Sequence, residues 1–374
     1  MTLSPLLLSL AVSVFAAGQK AVVPALPAAA VKAGPAAVGP AVSASPAAAI
    51  SAKAAAHPAS AVQTVNAVYA ELGKPSSWTP STTLNAAFDG SFKKGSIEEH
   101  LVAPDPVRGR VEITKLDPDD TMGMSEKDIR KGLKLEQKKL VYEQKKVYAI
   151  KQRGVVGVFN GIDTGGKDGR IKAVFKGLDP HSASVESNKR PSEEQAKHHY
   201  LWRHVQVLPG PGKIVLFNRS YYEDVVVPLL FPKMYAKAWG SVPSRREILA
   251  RLDEMNAFEK RLVDEGYVLV KYYLHISKDE QKKRLEARRD DPTKNYKFSD
   301  DDLLTRKHWD AFHRAWGLIL ARNNTSYAPF FVIPANDKQF ANYAVTRIFR
   351  RAIKRVHLHY PKAKPGTDKI VIPD

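Results

Sequence analysis

Residues 154–170 read GVVGVFNGIDTGGKDGR, a run of small and β-branched apolar residues that enters a glycine-rich turn and leaves it through a lysine. Gly161, Gly165, Gly166 and Gly169 would let backbone N–H groups curl around an anion. Lys167 adds a point charge suited to a transferring phosphoryl group. The spacing from Gly161 to Gly166 and Lys167 fits the phosphate-loop template, whose lysine is normally followed by a Ser or Thr that holds magnesium. Here Asp168 follows instead, and an Asp at a helix start reads as a cap. Asp163 lies inside the turn. An acid there repels a phosphate unless a metal or a proton mediates, so Asp163 is read as a magnesium ligand or as the acceptor of an attacking phosphate's proton. The turn lacks the GxGxxG pattern of dinucleotide binding.

Two further clusters extend this chemistry. FNRSYYEDV, residues 217–225, follows the apolar run KIVLF. Arg219 is suited to fork onto phosphate oxygens, and Glu223 and Asp224 offer the hard oxygens that magnesium takes. KKRLEARRDDPTKNYKFS, residues 282–299, places Arg284 and Arg288 four apart on one helix face, with Arg289, Lys294 and Lys297 adding charge. Arginines that converge on a phosphate stabilise charge during transfer. The break at Pro292 before a second helix suggests a hinged lid over about 280–305.

These groups need a scaffold. Buried-strand patterns fall at VVGVFN and KIVLFN, and further strands at SVESNK, which is short, YVLVKYYLHI and FFVIPA. Helical patterns separate them: GRIKAVFKGL, EEQAKHHYLWRHVQVL, REILARLDEMNAFEKRLVDEG, KDEQKKRLEARR and DDLLTRKHWDAFHRAWGLILAR, with FANYAVTRIFRRAI last. Such alternation predicts an α/β parallel sheet covered on both faces, with ligands beyond the carboxyl ends of the strands. Ser125 and Asp128 cap a long helix rich in Lys, Glu and Gln that runs to about Arg153, its charges a solvated face. Residues 61–124 read as an irregular arm with a short helix at TVNAVYAEL, 125–358 as the catalytic domain and 359–374 as a tail.

The chain has 374 residues, no cysteine and a formal net charge of +19. It therefore has no disulfide, thiol nucleophile or thiolate metal site, and its charge suits a polyanion: nucleic acid, anionic membrane or inorganic polyphosphate. The first 60 residues contain no Asp or Glu and only three lysines. Residues 5–17, PLLLSLAVSVFAA, have the length of a signal-peptide core, without the basic leader that usually precedes one. An Ala/Pro-rich low-complexity stretch follows.

Taken in order, GIDTGGKDG, RPSEEQAKHHYLWR, KIVLFNRSYYEDV, LHISKDEQKKRLEARRDDPTKNYKFS and YAPFFVIPAND resemble the polyphosphate kinase 2 family. The resemblance runs from about Gly132 to Ile353. It implies a three-layer parallel sheet of P-loop kinase (thymidylate-kinase-like) type with a helical lid. It also implies Mg2+-dependent phosphoryl transfer between polyphosphate and AMP, ADP or ATP, a homo-oligomer and a cytoplasmic location, with export the alternative raised by residues 1–17. Asp163 and Lys167 correspond to the family's loop aspartate and lysine, Arg219 to its second-motif arginine, and Arg284 and Arg288 to lid arginines. Asn218 stands where many members carry Asp. Asn218-Arg219-Ser220 followed by Tyr222-Glu223-Asp224 resembles the class III branch, which phosphorylates nucleoside mono- and diphosphates, although Tyr221 stands where that branch has His.

A rival reading is an ATP-dependent kinase of a small molecule, whose loop would normally carry Ser or Thr after Lys167. Another is a basic nucleic-acid-binding protein, for which the sequence offers no recognisable module, so no nucleic-acid partner is expected. Tyr221 and Trp202 are candidates for stacking on a purine, although aromatics of this kind more often belong to the core.

Overall fold

The computed structural model describes residues 58–71 and 92–373. The signal-like run at 1–17 and nearly all of the Ala/Pro-rich leader lie outside them. Among the described residues no helix is long and apolar enough to cross a membrane.

Five strands form one all-parallel sheet: β1 (Val155–Gly161), β2 (Ala183–Ser187), β3 (Ile214–Asn218), β4 (Val268–His275) and β5 (Phe330–Pro334), in the spatial order β2-β3-β1-β4-β5. Every residue of β1, β4 and β5 is buried, as parallel strands covered on both faces require. The edge strand β2 is mostly exposed.

Side chains of β4 alternate between two helical layers. The Tyr272 hydroxyl donates to Val345 O in α12 (Lys338–Arg355) at 3.0 Å. Its neighbours Lys271 and Tyr273 turn to the other face, where Tyr273 meets Trp316 of α11 (Trp309–Asn323) with ring centroids 5.0 Å apart. Lys271 Nζ there donates to Glu259 of α8 (Arg245–Asp264) at 2.6 Å, both side chains being wholly buried. Tyr221 and Tyr222 also donate to Glu259, at 2.7 and 2.6 Å, so this inward charge pair is well solvated by protein groups.

The long helix α3 (Glu126–Ile150) starts at the expected cap, with Ser125 Oγ accepting from the Asp128 N–H at 3.2 Å. It buries Ile129, Leu140 and Val147 on the α12 side of the sheet. α8 begins in a capping box at Ser244 and Glu247. It ends before Gly266, whose φ of 88° turns the chain into β4. The arm contains α1 (Pro58–Glu71) and α2 (Ile97–Leu101).

Two expectations are corrected. The single helix expected over 193–208 is only a 3₁₀ turn at Gln195–Lys197 and the short α5 (Trp202–Gln206). Side-chain contacts dictate this path: Tyr200 donates to Glu254 at 3.0 Å, and Arg203 to Lys189 O at 2.6 Å. The helix expected over 301–322 is broken at His308 into α10 (Asp300–Lys307) and α11. The His308 N–H bonds both Leu304 O and Thr305 O, a tightened last turn that releases α11 in a new direction. Between β3 and α8 lie two helices that the sequence patterns do not reveal, α6 (Glu223–Leu230) and α7 (Pro232–Trp239). The remaining helices are α4 (Lys167–Phe175) and α9 (Lys278–Asp290).

Candidate active site

Sheet register assembles the site. Phe159 of β1 is opposite Asn218 of β3, and Gly161 is opposite Leu274 of β4. The loop leaving β1 and the residues leaving β3 therefore emerge side by side at the carboxyl edge, with the end of β4 on the other flank. Arg219 N–H still donates to Phe159 O at 3.1 Å, which carries the arginine to the mouth of the loop. Its guanidinium meets Asp163 Oδ1 at 2.5 Å and approaches Glu223 Oε2 at 3.9 Å.

The loop is tightly wound. Gly161 has φ 147°, and a Cβ there would lie 2.9 Å from Leu274 O. Gly166 has φ 94° and takes the N-cap position of α4, where a Cβ would collide with the Arg170 guanidinium. Two side-chain-bearing residues also sit in the left-handed region, Thr164 at φ 63° and Arg219 at φ 68°. A β-branched residue there is strained, and such strain gathers where function requires it.

Lys167 is buried and turns back on its own loop, its Nζ donating to Gly161 O at 2.7 Å and Ile162 O at 3.2 Å. Burial lowers its ammonium pKa, with Asp163 opposing. For Asp163 burial raises the pKa, but Arg219 and then Lys167 outweigh it and hold the carboxyl below its usual range. The Arg219 pKa is raised in turn, chiefly by Asp163. Burial raises Glu223 against the pull of Arg219, and raises Asp224 against Arg203.

Other expected residues are placed differently. Gly169 is a helical residue of α4, its N–H bonded to Gly166 O at 3.1 Å, and the Gly165 N–H is bonded to Ile162 O at 2.9 Å. These two N–H groups stabilise the turn. Asp168 is not the cap. It lies in the first turn and accepts from Asn218 Nδ2 at 2.8 Å. The Arg284 guanidinium is held against the loop: it donates to Gly165 O at 3.0 Å, Thr164 O at 3.3 Å and Ala335 O at 2.5 Å, and to Glu280 at 2.7 Å. Arg284 thus clamps the loop's carbonyls. Arg288 bridges to Asp302 of α10 at 2.7 Å. Tyr221 is a core residue bonded to Glu259, and Trp202 stacks on His198 at 3.9 Å, so neither faces the pocket.

Several site residues escape sequence reasoning. Gln281 Nε2 donates to Asp163 O at 3.2 Å, and Thr305 Oγ1 to Asp163 Oδ2 at 3.2 Å. α9 and α10 therefore both touch the loop. The pocket beside it is lined by the polar Asp163, Arg219, Glu223 and Asn188 and by the apolar Val227, Phe231, Met234 and Trp239, with the Arg203 guanidinium over the Trp239 ring at 5.6 Å. α6 and α7 supply most of those apolar residues.

Among the described residues no group of three acidic or imidazole side chains converges on a metal position. The donor set still suits a hard cation such as Mg2+, which binds through one or two carboxylates and takes its other oxygens from water and substrate phosphates. Asp163 and Glu223 meet that description, since both line the pocket with side chains 20% and 15% exposed, whereas that of Asp224 is 3% exposed. The Asp224 carboxylate lies deeper, engaged by Arg203 at 3.2 Å and Tyr235 at 3.4 Å.

Such a site can move a phosphoryl group between two anions held against the loop, which is the chemistry of a P-loop-type phosphotransferase. Comparison with known sequences narrows the class. A family model described as Polyphosphate kinase 2 (PPK2) matches residues 123–361, and the chain belongs to that family. It is 36% identical over 278 residues to the AMP/ADP-polyphosphate phosphotransferase of Meiothermus ruber, covering 74% of this chain and 100% of that protein. It is 33% identical over 261 residues to the ADP-polyphosphate phosphotransferase of Rhodopseudomonas palustris, covering 68% and 89%. The crystal structure of polyphosphate kinase 2 from Arthrobacter aurescens TC1 superposes with a TM-score of 0.63 at 33% identity, covering 70% of this chain and 93% of that one.

Proposed function

We propose that the chain transfers the terminal phosphoryl group of inorganic polyphosphate to AMP and ADP, reversibly, with Mg2+ as its metal. The observation that carries this reading is the Asp163–Arg219 pair at the mouth of the phosphate loop, in a pocket that Val227, Phe231, Met234 and Trp239 also line. The polar side chains suit two phosphates and the apolar ones a nucleobase. Relatives that act on AMP and ADP support the same acceptors.

In this reading a terminal phosphate oxygen of the nucleotide attacks the terminal phosphorus of the chain in line. The P–O bond to the next phosphate breaks, and the shortened chain leaves with the bonding pair. No covalent enzyme intermediate is needed, because positioning and charge stabilisation supply most of the catalysis. Asp163 stays ionised at neutral pH, so it orients the attacking group and its charge, with Glu223 beside it. Lys167 and Arg219 neutralise charge on the transferring group. Mg2+, held by Asp163 and Glu223, would offset phosphate charge.

The test is a donor–acceptor assay with magnesium, long-chain polyphosphate and either AMP or ADP, product nucleotides being followed by chromatography. ATP from both acceptors is expected. ATP from ADP alone would restrict the acceptor to diphosphates. Activity only with ATP as donor would replace the reading with a small-molecule kinase.

A further inference from the structure

We propose that the ion pair between Arg190 and Asp301 is a clasp across the mouth of the pocket, which positions the loop after β2 over a bound nucleotide and parts to release it. The inference rests on AMP and ADP being the acceptors, and it adds two positioning residues to that site.

Contacts run in a ring around the pocket, whose lining includes Asp163, Asn188, Arg190, Arg219, Asp301 and Thr305. Arg219 binds Asp163 through its guanidinium, and its carbonyl accepts from Asn188 Nδ2 at 3.1 Å. Asn188 opens the loop that leaves β2 and leads to Arg190. On the other side, Thr305 Oγ1 lies 3.2 Å from Asp163 Oδ2 and 2.9 Å from Asp301 O. The Arg190 guanidinium donates to Asp301 Oδ2 at 3.0 Å and closes the ring.

The links differ in burial. The Asp163 side chain is 20% exposed, whereas those of Arg190 and Asp301 are 62% and 53% exposed. An ion pair open to water is weak. This is therefore the link that can part on each turnover while the others stay formed.

Both partners are aimed by the backbone around them. Pro191 keeps the residue before it out of the helical region, and Arg203 Nη1 donates to Lys189 O at 2.6 Å, so the backbone at Arg190 is restrained on both sides. Asp301 is in the first turn of α10, its N–H donating to Ser299 Oγ at 3.2 Å. A carboxylate in a first turn complements the helix dipole. That accounts for Asp301 by itself, but not for an arginine that reaches it across 111 positions of sequence. A simple phosphate ligand at Arg190 would need no carboxylate partner, and Asp301 beside it would repel the phosphate. The two roles therefore predict opposite effects of removing Asp301.

The test uses the full-length chain, with magnesium, long-chain polyphosphate as donor and ADP as acceptor, together with calorimetry of ADP binding in the absence of a donor. Arg190→Gln and Asp301→Asn should each raise KM and Kd for ADP about two- to fivefold, the scale of one surface ion pair, without lowering kcat. The double variant Arg190→Gln/Asp301→Asn should do no more than either single change, because both remove the same interaction. The exchanged pair Arg190→Asp/Asp301→Arg should recover most of the affinity. An Asp301→Asn variant that binds ADP as well as the wild type, or better, would overturn the clasp and leave Arg190 as a phosphate ligand. So would an exchanged pair no better than the single variants, or a loss confined to kcat. A wild-type chain that binds ADP but turns over no polyphosphate would defeat the proposed function alone, because calorimetry would still decide the pair.

Discussion

Thr305 Oγ1 lies 3.2 Å from Asp163 Oδ2, although 142 residues separate the two in sequence. The same hydroxyl lies 2.9 Å from Asp301 O within its own helix. It has one proton to donate, so α10 supplies it either to its own turn or to the loop carboxylate. With Arg219 on Oδ1 and Thr305 on Oδ2, both oxygens of Asp163 are oriented. Thr305→Val keeps the shape and removes the donor. A hydrogen bond to a charged group contributes about 1.5–3 kcal/mol, so kcat in the polyphosphate assay should fall at least about tenfold, with Thr305→Ser restoring most of it. A valine variant at the wild-type rate would remove this contact from the mechanism.

Asp163→Asn keeps the side chain's size but deletes the charge that Arg219 and Lys167 are arranged around. Transfer should drop by about three orders of magnitude, the scale of losing a preorganised electrostatic group. Far-UV circular dichroism should be unchanged, since the Asp163 carboxylate bonds Arg219 and Thr305 at the site rather than core groups. Near-normal activity would overturn the role assigned to it.

What the sequence revealed follows from what strand order can carry. GIDTGGKDG and FNRSYYEDV each end a buried apolar run, so a parallel sheet must bring both to one edge, and Phe159 and Asn218 are indeed register partners. Residue type was enough to identify Asp163, Lys167 and Arg219 as chemical candidates. For Arg284 residue type alone leaves two roles open. A charge run looks the same whether a guanidinium meets phosphate or carbonyls, and only the fold brings Thr164, Gly165 and Ala335 to it. Gln281 and Thr305 carry no local signal, since their contacts with Asp163 span 118 and 142 residues. α6 and α7 escaped because each is only eight residues long, too short for a clear period, with Pro228 inside the first and Pro232 opening the second.

Arg284→Lys separates a phosphate ligand from a clamp. Lysine keeps the charge but cannot reproduce the planar fork that meets carbonyls of two segments and Glu280. Leaving those buried carbonyls poorly paired costs about 1–3 kcal/mol. Thermal unfolding should therefore show a clear loss of stability, with KM rising for both donor and acceptor as the loop loosens. A phosphate ligand would behave differently: Arg284→Lys would raise KM for polyphosphate alone and leave Tm in place.

Glu223 links activity to stability through pH. Burial raises its pKa above the ordinary 4.5 despite Arg219 nearby. The folded state thus disfavours the ionised carboxylate. Below the ordinary range the group is protonated in both states and contributes no penalty. As pH rises past 4.5 and through the raised value, the unfolded chain ionises more readily and the folded state is penalised. Glu223→Gln removes that charge, so at pH 7 the variant should melt at a higher temperature than the wild type, and at pH 4 the two should converge. Its transfer activity should nonetheless fall by about two to three orders of magnitude, if a carboxylate beside Asp163 is needed to offset phosphate charge through the metal. The pair of measurements decides the role. A variant that is active and more stable would make Glu223 dispensable. One that is less stable at pH 7 would show that Arg219 outweighs burial there, and that Glu223 is part of the scaffold.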